Sequence, residues 1–184
     1  IAIGLCILAL RIFKMSSSYS ILILIGLIFS IFGDVIIMFE TESTFLFAML
    51  FFLITHIIYS VALIKIGDFK ITDIFTAIPV FIISGIFFYS IIPKLNGFFI
   101  PIALYTIVIS FMLWRALVLI YKKDYSIAFK TLIIVGAFFF FISDIILAIE
   151  RYVEPFYILP ALNAFFYFTG QLLISLSTFY YKVK

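Results

Sequence analysis

Apolar residues run along this chain in seven blocks, at about 1–13, 19–39, 45–65, 73–92, 98–121, 129–149 and 156–180, parted by short polar breaks. We letter them A to G. About twenty apolar residues make an α-helix long enough to cross the hydrocarbon core of a bilayer, where only helices and closed barrels can satisfy their own backbone. The alternating segments of about ten residues that mark a barrel are not seen. The pattern therefore predicts an all-α, polytopic transmembrane bundle. Its short connections make consecutive helices antiparallel neighbours within a single transmembrane domain over 1–184. Pro93, Asn96 and Gly97 part D from E, and Pro155 opens G. Pro79, Pro101 and Pro160 fall in or just beyond first turns, where a missing N–H matters least. Block A is too short to span unaided and the chain opens on Ile1, so an N-terminally truncated sequence is expected, with eight helices in the full chain.

Composition agrees with the pattern. The 184 residues are 67% apolar, 21% aromatic and 11% charged, and the mean hydropathy is +1.39, which places the chain in a membrane. Cys6 is the single cysteine, so an intrachain disulfide is excluded and a small core residue is the expected role. The charges set orientation. Arg11, Lys14, Lys65, Lys70, Lys122, Lys123, Lys130, Lys182 and Lys184 fall on one side, whereas Lys94 and Arg151 share the other with Glu40, Glu42, Glu150 and Glu154. By the positive-inside rule the basic side and the C-terminus are expected to be cytoplasmic, the membrane being the plasma or inner membrane if the source is bacterial. The net charge of +3 thus reports topology, and no nucleic-acid partner is implied. Arg115, close to the basic end of E, is expected to snorkel. Trp114, Tyr121, Tyr152, Tyr157, Tyr180 and Tyr181 fit interfacial belts.

Two carboxylates break the apolar pattern. Asp34 in LIGLIFSIFGDVIIMFE and Asp144 in VGAFFFFISDIILAIER share the frame G-x7-D-x5-E, with Gly26 and Gly136 before them and Glu40 and Glu150 after. Ionisable groups within a span are rare, and they mark functional sites when they face an interior. The likeness extends into the next segments. FFLITHIIYS (51–60) aligns with FYFTGQLLIS (166–175), which sets His56 against Gln171 and Ser60 against Ser175. Pair B/C is thus a pseudo-repeat of pair F/G, about an axis near the membrane normal. B and F then run parallel, with each aspartate roughly 8 Å from its outer end at 1.5 Å per residue.

Other polar positions keep helical spacing. Asn163, Tyr167, Gln171 and Ser175 recur every four residues in G, His56 and Tyr59 are three apart in C, and Ser30 lies one turn before Asp34. Such stripes also arise as plain interhelical hydrogen bonds. Two buried carboxyls near one another suit acid-catalysed cleavage of an acetal-like or ether bond. One donates a proton; the other stabilises an oxocarbenium-like cation or activates water. His56 with two aspartates has the composition of a zinc site, but no pair has the tight spacing of a metal motif and no metal is assigned.

At these residues the chain resembles the YhhN family of membrane proteins, whose characterised members are lysoplasmalogenases. The resemblance rests on FSIFGD (29–34), H-x-x-Y at His56 and Tyr59, FISDIILA (141–148) and Y-x-x-x-Q at Tyr167 and Gln171, in an order that covers nearly the whole chain. It implies about eight spanning helices and hydrolysis of the vinyl-ether bond of a lysoplasmalogen, a lysophospholipid reached from the bilayer. The products are a fatty aldehyde and glycerophospho-ethanolamine or glycerophospho-choline. Asp34 and Asp144 are then the catalytic pair. Ser30, His56, Tyr59, Ser143, Asn163, Tyr167 and Gln171 orient substrate and water, and no cofactor is required. Two other readings use the same acids: a proton-coupled transporter or lipid-binding protein, and a metal-dependent lipid hydrolase.

Overall fold

The computed structural model describes residue 4 and residues 17–39, 41–95 and 97–181. Segment A, with Cys6, lies outside the described residues apart from Gly4, as do Glu40 and Asn96. The described residues form six long helices and no strand: α1 (Ser18–Ile37), α2 (Glu42–Ile66), α3 (Ile74–Ile91), α4 (Phe99–Val118), α5 (Ile127–Tyr152) and α6 (Leu159–Tyr180). They correspond to segments B to G. With short 3-10 extensions to α3 and α4, all six are long and apolar enough to cross a membrane, so this is an integral, multi-pass membrane protein.

Local chemistry sets the helix ends. Ser17 caps α1 by accepting from the Ser20 N–H at 3.1 Å, and Ser126 caps α5 through the Phe129 N–H at 3.2 Å. Thr41 and Thr44 form a reciprocal capping box at the start of α2, through N–H to hydroxyl bonds of 3.1 and 2.9 Å. Between α3 and α4 the chain reverses at Gly97, whose φ of +90° is a conformation that residues with a Cβ rarely adopt.

The helices are arranged as a ring. α1 packs on α2, α2 on α4, α4 on α5, α5 on α6, and α6 returns to α1, while α3 lies outside, mainly against α4. The most extensive pairings are α1 with α2 and α5 with α6, the two halves of the sequence repeat. Their crossings match in detail. A Cβ at Gly26 would come 2.3 Å from the Tyr59 ring, and a Cβ at Gly136 would come 2.9 Å from Ile174, the residue aligned with Tyr59. Thr55 donates to the Gly26 carbonyl at 3.0 Å, and its counterpart Gly170 sits against the Gly136 carbonyl. Without a hydrophobic drive between helices in lipid, such small-residue crossings let backbones approach and contacts accumulate.

Below these crossings the core is closed by Tyr19, Ile23, Leu63, Met112, Phe129 and Phe140, all fully buried or nearly so. The basic end is tied by donors that meet carbonyls at and just beyond the C-terminus of α2, where the chain has no helical partner to offer them. Tyr125 donates to Ile66 O at 2.8 Å, Lys122 to Asp68 O at 2.6 Å, and Arg115 to Gly67 O. Burial pushes the Tyr125 phenol up to about 12, so it remains a donor. Arg115 therefore does not snorkel. Its side chain is 2% exposed because the α2 terminus offers it an acceptor inside the protein. Replacing Arg115 with leucine is expected to lower stability by about 1.5–3 kcal/mol, the usual contribution of a charged donor. Detergent-solubilised unfolding would check this, and an unchanged midpoint would show the bond to be dispensable.

Candidate active site

At the acidic end, α1, α2, α5 and α6 surround a cleft of about 400 Å³. Asp34 from α1 and Asp144 from α5 both line it, with Glu150, Asn163, Tyr167 and Phe52 among the other wall residues. The helices bring the two carboxyls together because α1 meets α6 and α6 meets α5, which places the repeated aspartates on opposite sides of α6. Gly33 allows the approach, since a Cβ there would come 2.7 Å from the Phe52 ring.

Two sets of hydrogen bonds border the cleft, and the first ends on Asp144. Tyr105 donates to Asp144 Oδ1 at 3.1 Å, and His56 Nε2 lies 3.1 Å from Asp144 Oδ2 and 3.0 Å from the Tyr105 hydroxyl. The imidazole is fully buried, whereas the Asp144 side chain is 12% exposed and faces the cleft. Met112 Sδ, 3.4 Å from Nδ1, and the rings of Tyr105 and Phe140 fix the imidazole plane. The second set runs through α6. Tyr59 donates to Gln171 Oε1 at 2.8 Å, Gln171 Nε2 donates to Ser30 Oγ at 2.7 Å, and Ser30 bonds the Tyr167 hydroxyl, which shares the cleft wall with Asp34. The amide of Gln171 accepts with one atom and donates with the other, so it sets the direction of the whole series.

Six of the nine residues singled out from the sequence belong to these two sets: Ser30, Tyr59, Tyr167 and Gln171 in one, Asp144 and His56 in the other. Asp34 and Asn163 join them on the cleft wall. Ser143 stands apart. It is buried, its hydroxyl donates to Phe140 O in its own helix at 2.6 Å, and it does not line the cleft. Among the described residues no group of three His, Cys, Asp or Glu is placed to hold a metal ion.

Sequence reasoning missed Tyr105, which reaches both Asp144 and His56. The one signal available was a phenol well inside an apolar segment, IALYTIV, where its hydroxyl must find a partner. The aromatic wall supplied by Phe52 carries no sequence signal, because this chain has phenylalanine in nearly every segment.

The cleft can receive an uncharged bond between the Asp34 and Asp144 side chains, the latter held by two polar neighbours. Its aromatic and aliphatic walls suit an amphiphile. These are the parts of acid-catalysed addition of water.

Comparison with known proteins bears on this chemistry. A model of the YhhN family matches residues 1–178. The chain is 28% identical over 135 residues to the lysoplasmalogenase TMEM86A of Bos taurus, and equally so to that of Homo sapiens, with 72% of this chain and 55% of each relative covered. It thus spans about half the length of the curated relatives it matches. No solved structure matches.

Proposed function

Since the chain belongs to the YhhN family, we propose that it is an intramembrane hydrolase that cleaves the vinyl-ether bond of lysoplasmalogens. Support comes from the two lysoplasmalogenase relatives. The observation that carries the mechanism is that Asp34 and Asp144 line one cleft, with Tyr105 and His56 bonded to Asp144 and Tyr167 on the wall shared with Asp34.

Asp34, which has the Tyr167 phenol on its side of the cleft, is assigned the proton donor; Asp144, met by Tyr105 and His56, is assigned the carboxylate. Asp34 gives its proton to the alkene carbon remote from the ether oxygen, and the carbon next to the oxygen becomes part of an oxocarbenium ion facing Asp144. Water adds to that carbon and passes a proton to Asp144. The hemiacetal then collapses: its hydroxyl proton returns to Asp34, Asp144 protonates the departing glycerol oxygen, and the C–O bond breaks. One water is consumed, both carboxyls end as they began, and the products are a fatty aldehyde and glycerophospho-ethanolamine or glycerophospho-choline. No step forms a bond between enzyme and substrate. His56, Tyr59, Ser30, Tyr167 and Gln171 hold the two acids, and Asn163 orients water or the glycerol on the wall. On this reading the basic end faces the cytoplasm and the lipid enters from the bilayer.

The protein purified in detergent or nanodiscs should release aldehyde and glycerophospho-ethanolamine in equal amounts from a lysoplasmenyl-ethanolamine. No aldehyde above a protein-free control would overturn the reading. Tyr105→Phe should slow aldehyde release by about tenfold to a hundredfold, because it removes one donor to a charged oxygen. Unaltered kcat in a folded Tyr105→Phe protein would remove Tyr105 from the mechanism.

A further inference from the structure

Asp144 forms part of two cavities. Besides the cleft at the acidic end, it borders a narrow, mostly apolar crevice of about 60 Å³ on the α3 and α4 side, and Leu147 is likewise common to both. That crevice in turn shares Ser84 and Thr106 with a third space, a groove of about 150 Å³ between α3 and α4 that includes Gly85 and Ala103. The three spaces therefore adjoin one another in a series, from the groove between α3 and α4 to the crevice beside the carboxylate and then the cleft.

Three properties of the series point to its occupant. First, it is dry by construction. Ser84 donates to Val80 O, Thr106 to Ile102 O, and Ser110 to Ser84 and Thr106 O, so the hydroxyls along it already have acceptors within the bundle. Second, it starts at the bilayer. α3 lies outside the ring, and Ile78, Ile82, Ile83 and Ile86 on it are 48–66% exposed, as lipid-facing residues must be. Third, it is narrow. The crevice holds about 60 Å³, room for a few methylene groups. We propose that the hydrocarbon chain of a single-chain lipid enters between α3 and α4, passes Ser84 and Thr106, and so delivers its first carbons to Asp144 while its headgroup occupies the cleft.

The proposal rests on the hydrolase reading for its choice of substrate, and it adds the route by which the chain reaches the carboxylate. Gly85 makes the passage testable, because it lines the groove and a Cβ placed there meets nothing within 4 Å.

An uncleavable lysophosphatidylethanolamine bearing a diazirine at the far end of its chain should, in nanodiscs, label peptides of α3 and α4 around Ser84 and Thr106, and Gly85→Phe should lower that labelling. In the hydrolysis assay, Gly85→Phe should raise KM for a hexadecenyl lysolipid by about tenfold and leave a butenyl analogue unaffected, because only the longer chain reaches the groove. Labels on α1 and α6, or labels over the whole lipid-facing surface that Gly85→Phe leaves alone, would overturn the passage. Equal KM changes for both analogues would do so as well. If the unaltered protein cleaves neither analogue, the hydrolase reading fails, and the labelling pattern still decides whether a chain occupies the series.

Discussion

Asp34→Asn and Asp144→Asn are each expected to cut aldehyde release by about a hundredfold to ten-thousandfold, the range that a positioned acid or base contributes. Asparagine keeps the size and shape of each side chain, so the neighbours stay in place: Tyr167 beside position 34, Tyr105 and His56 beside position 144. What disappears is the proton that position 34 supplies and the negative charge that position 144 presents. Because the two act in succession on one intermediate, the double variant should be scarcely slower than either single one. Steady-state rates on a lysoplasmenyl lipid, with folding checked by thermal unfolding, provide the measurement. Full activity in either folded variant would sink the division of roles, and full activity in both would sink carboxylate chemistry altogether.

The largest structural effect is expected at the crossing of α5 and α6. Gly136→Val should destabilise the protein by about 3 kcal/mol or more, at the upper end of the range for overpacked sites. The obstacle is backbone rather than a mobile side-chain tip. A Cβ at position 136 would stand 2.9 Å from the Ile174 nitrogen and 3.0 Å from the Gly170 carbonyl oxygen, and one at position 170 would stand 2.9 Å from the Gly136 carbonyl oxygen and the Phe140 nitrogen. Neither atom can step aside unless the helices part. Parting α5 from α6 would also separate Asp144 from Tyr167, so activity should fall together with stability. Gly85→Ala, with open space around it, should leave the midpoint where it is. Unfolding in detergent with a graded denaturant would measure both, and equal midpoints for the two variants would show that close backbone approach does not hold this bundle together.

Much of the candidate site was legible along the chain because two periodicities and one duplication carry it. His56 with Tyr59, and Tyr167 with Gln171, fall on single helix faces by spacing alone. The common frame around Asp34 and Asp144 pairs two helices whose distance in sequence says nothing of their distance in space. Tyr105 escaped because its partners, Asp144 and His56, come from two other helices. Ser143 was drawn in by its place beside Asp144, yet adjacent helical residues face different ways, and its hydroxyl turned back to Phe140 O. Arg115 misled for a related reason. A long cation near a helix end has two outlets, water or an acceptor inside the protein, and only the position of the α2 terminus selects between them.

By itself, the sequence determined that this is a membrane-spanning helical bundle, where its helices begin and end, and that it contains two related halves, since hydropathy, breakers and duplication are properties of neighbours along a chain. The tertiary structure alone decided that, among the described helices, α3 stands outside a ring of five, that two carboxyl groups line one cleft, and that Asp144 also borders a second cavity. The reason is physical. In lipid every segment is apolar on nearly all sides, so hydrophobicity cannot say which face meets which helix. That choice is left to the fit of small residues such as Gly26, Gly136 and Gly170 against their neighbours, which acts only once the helices touch.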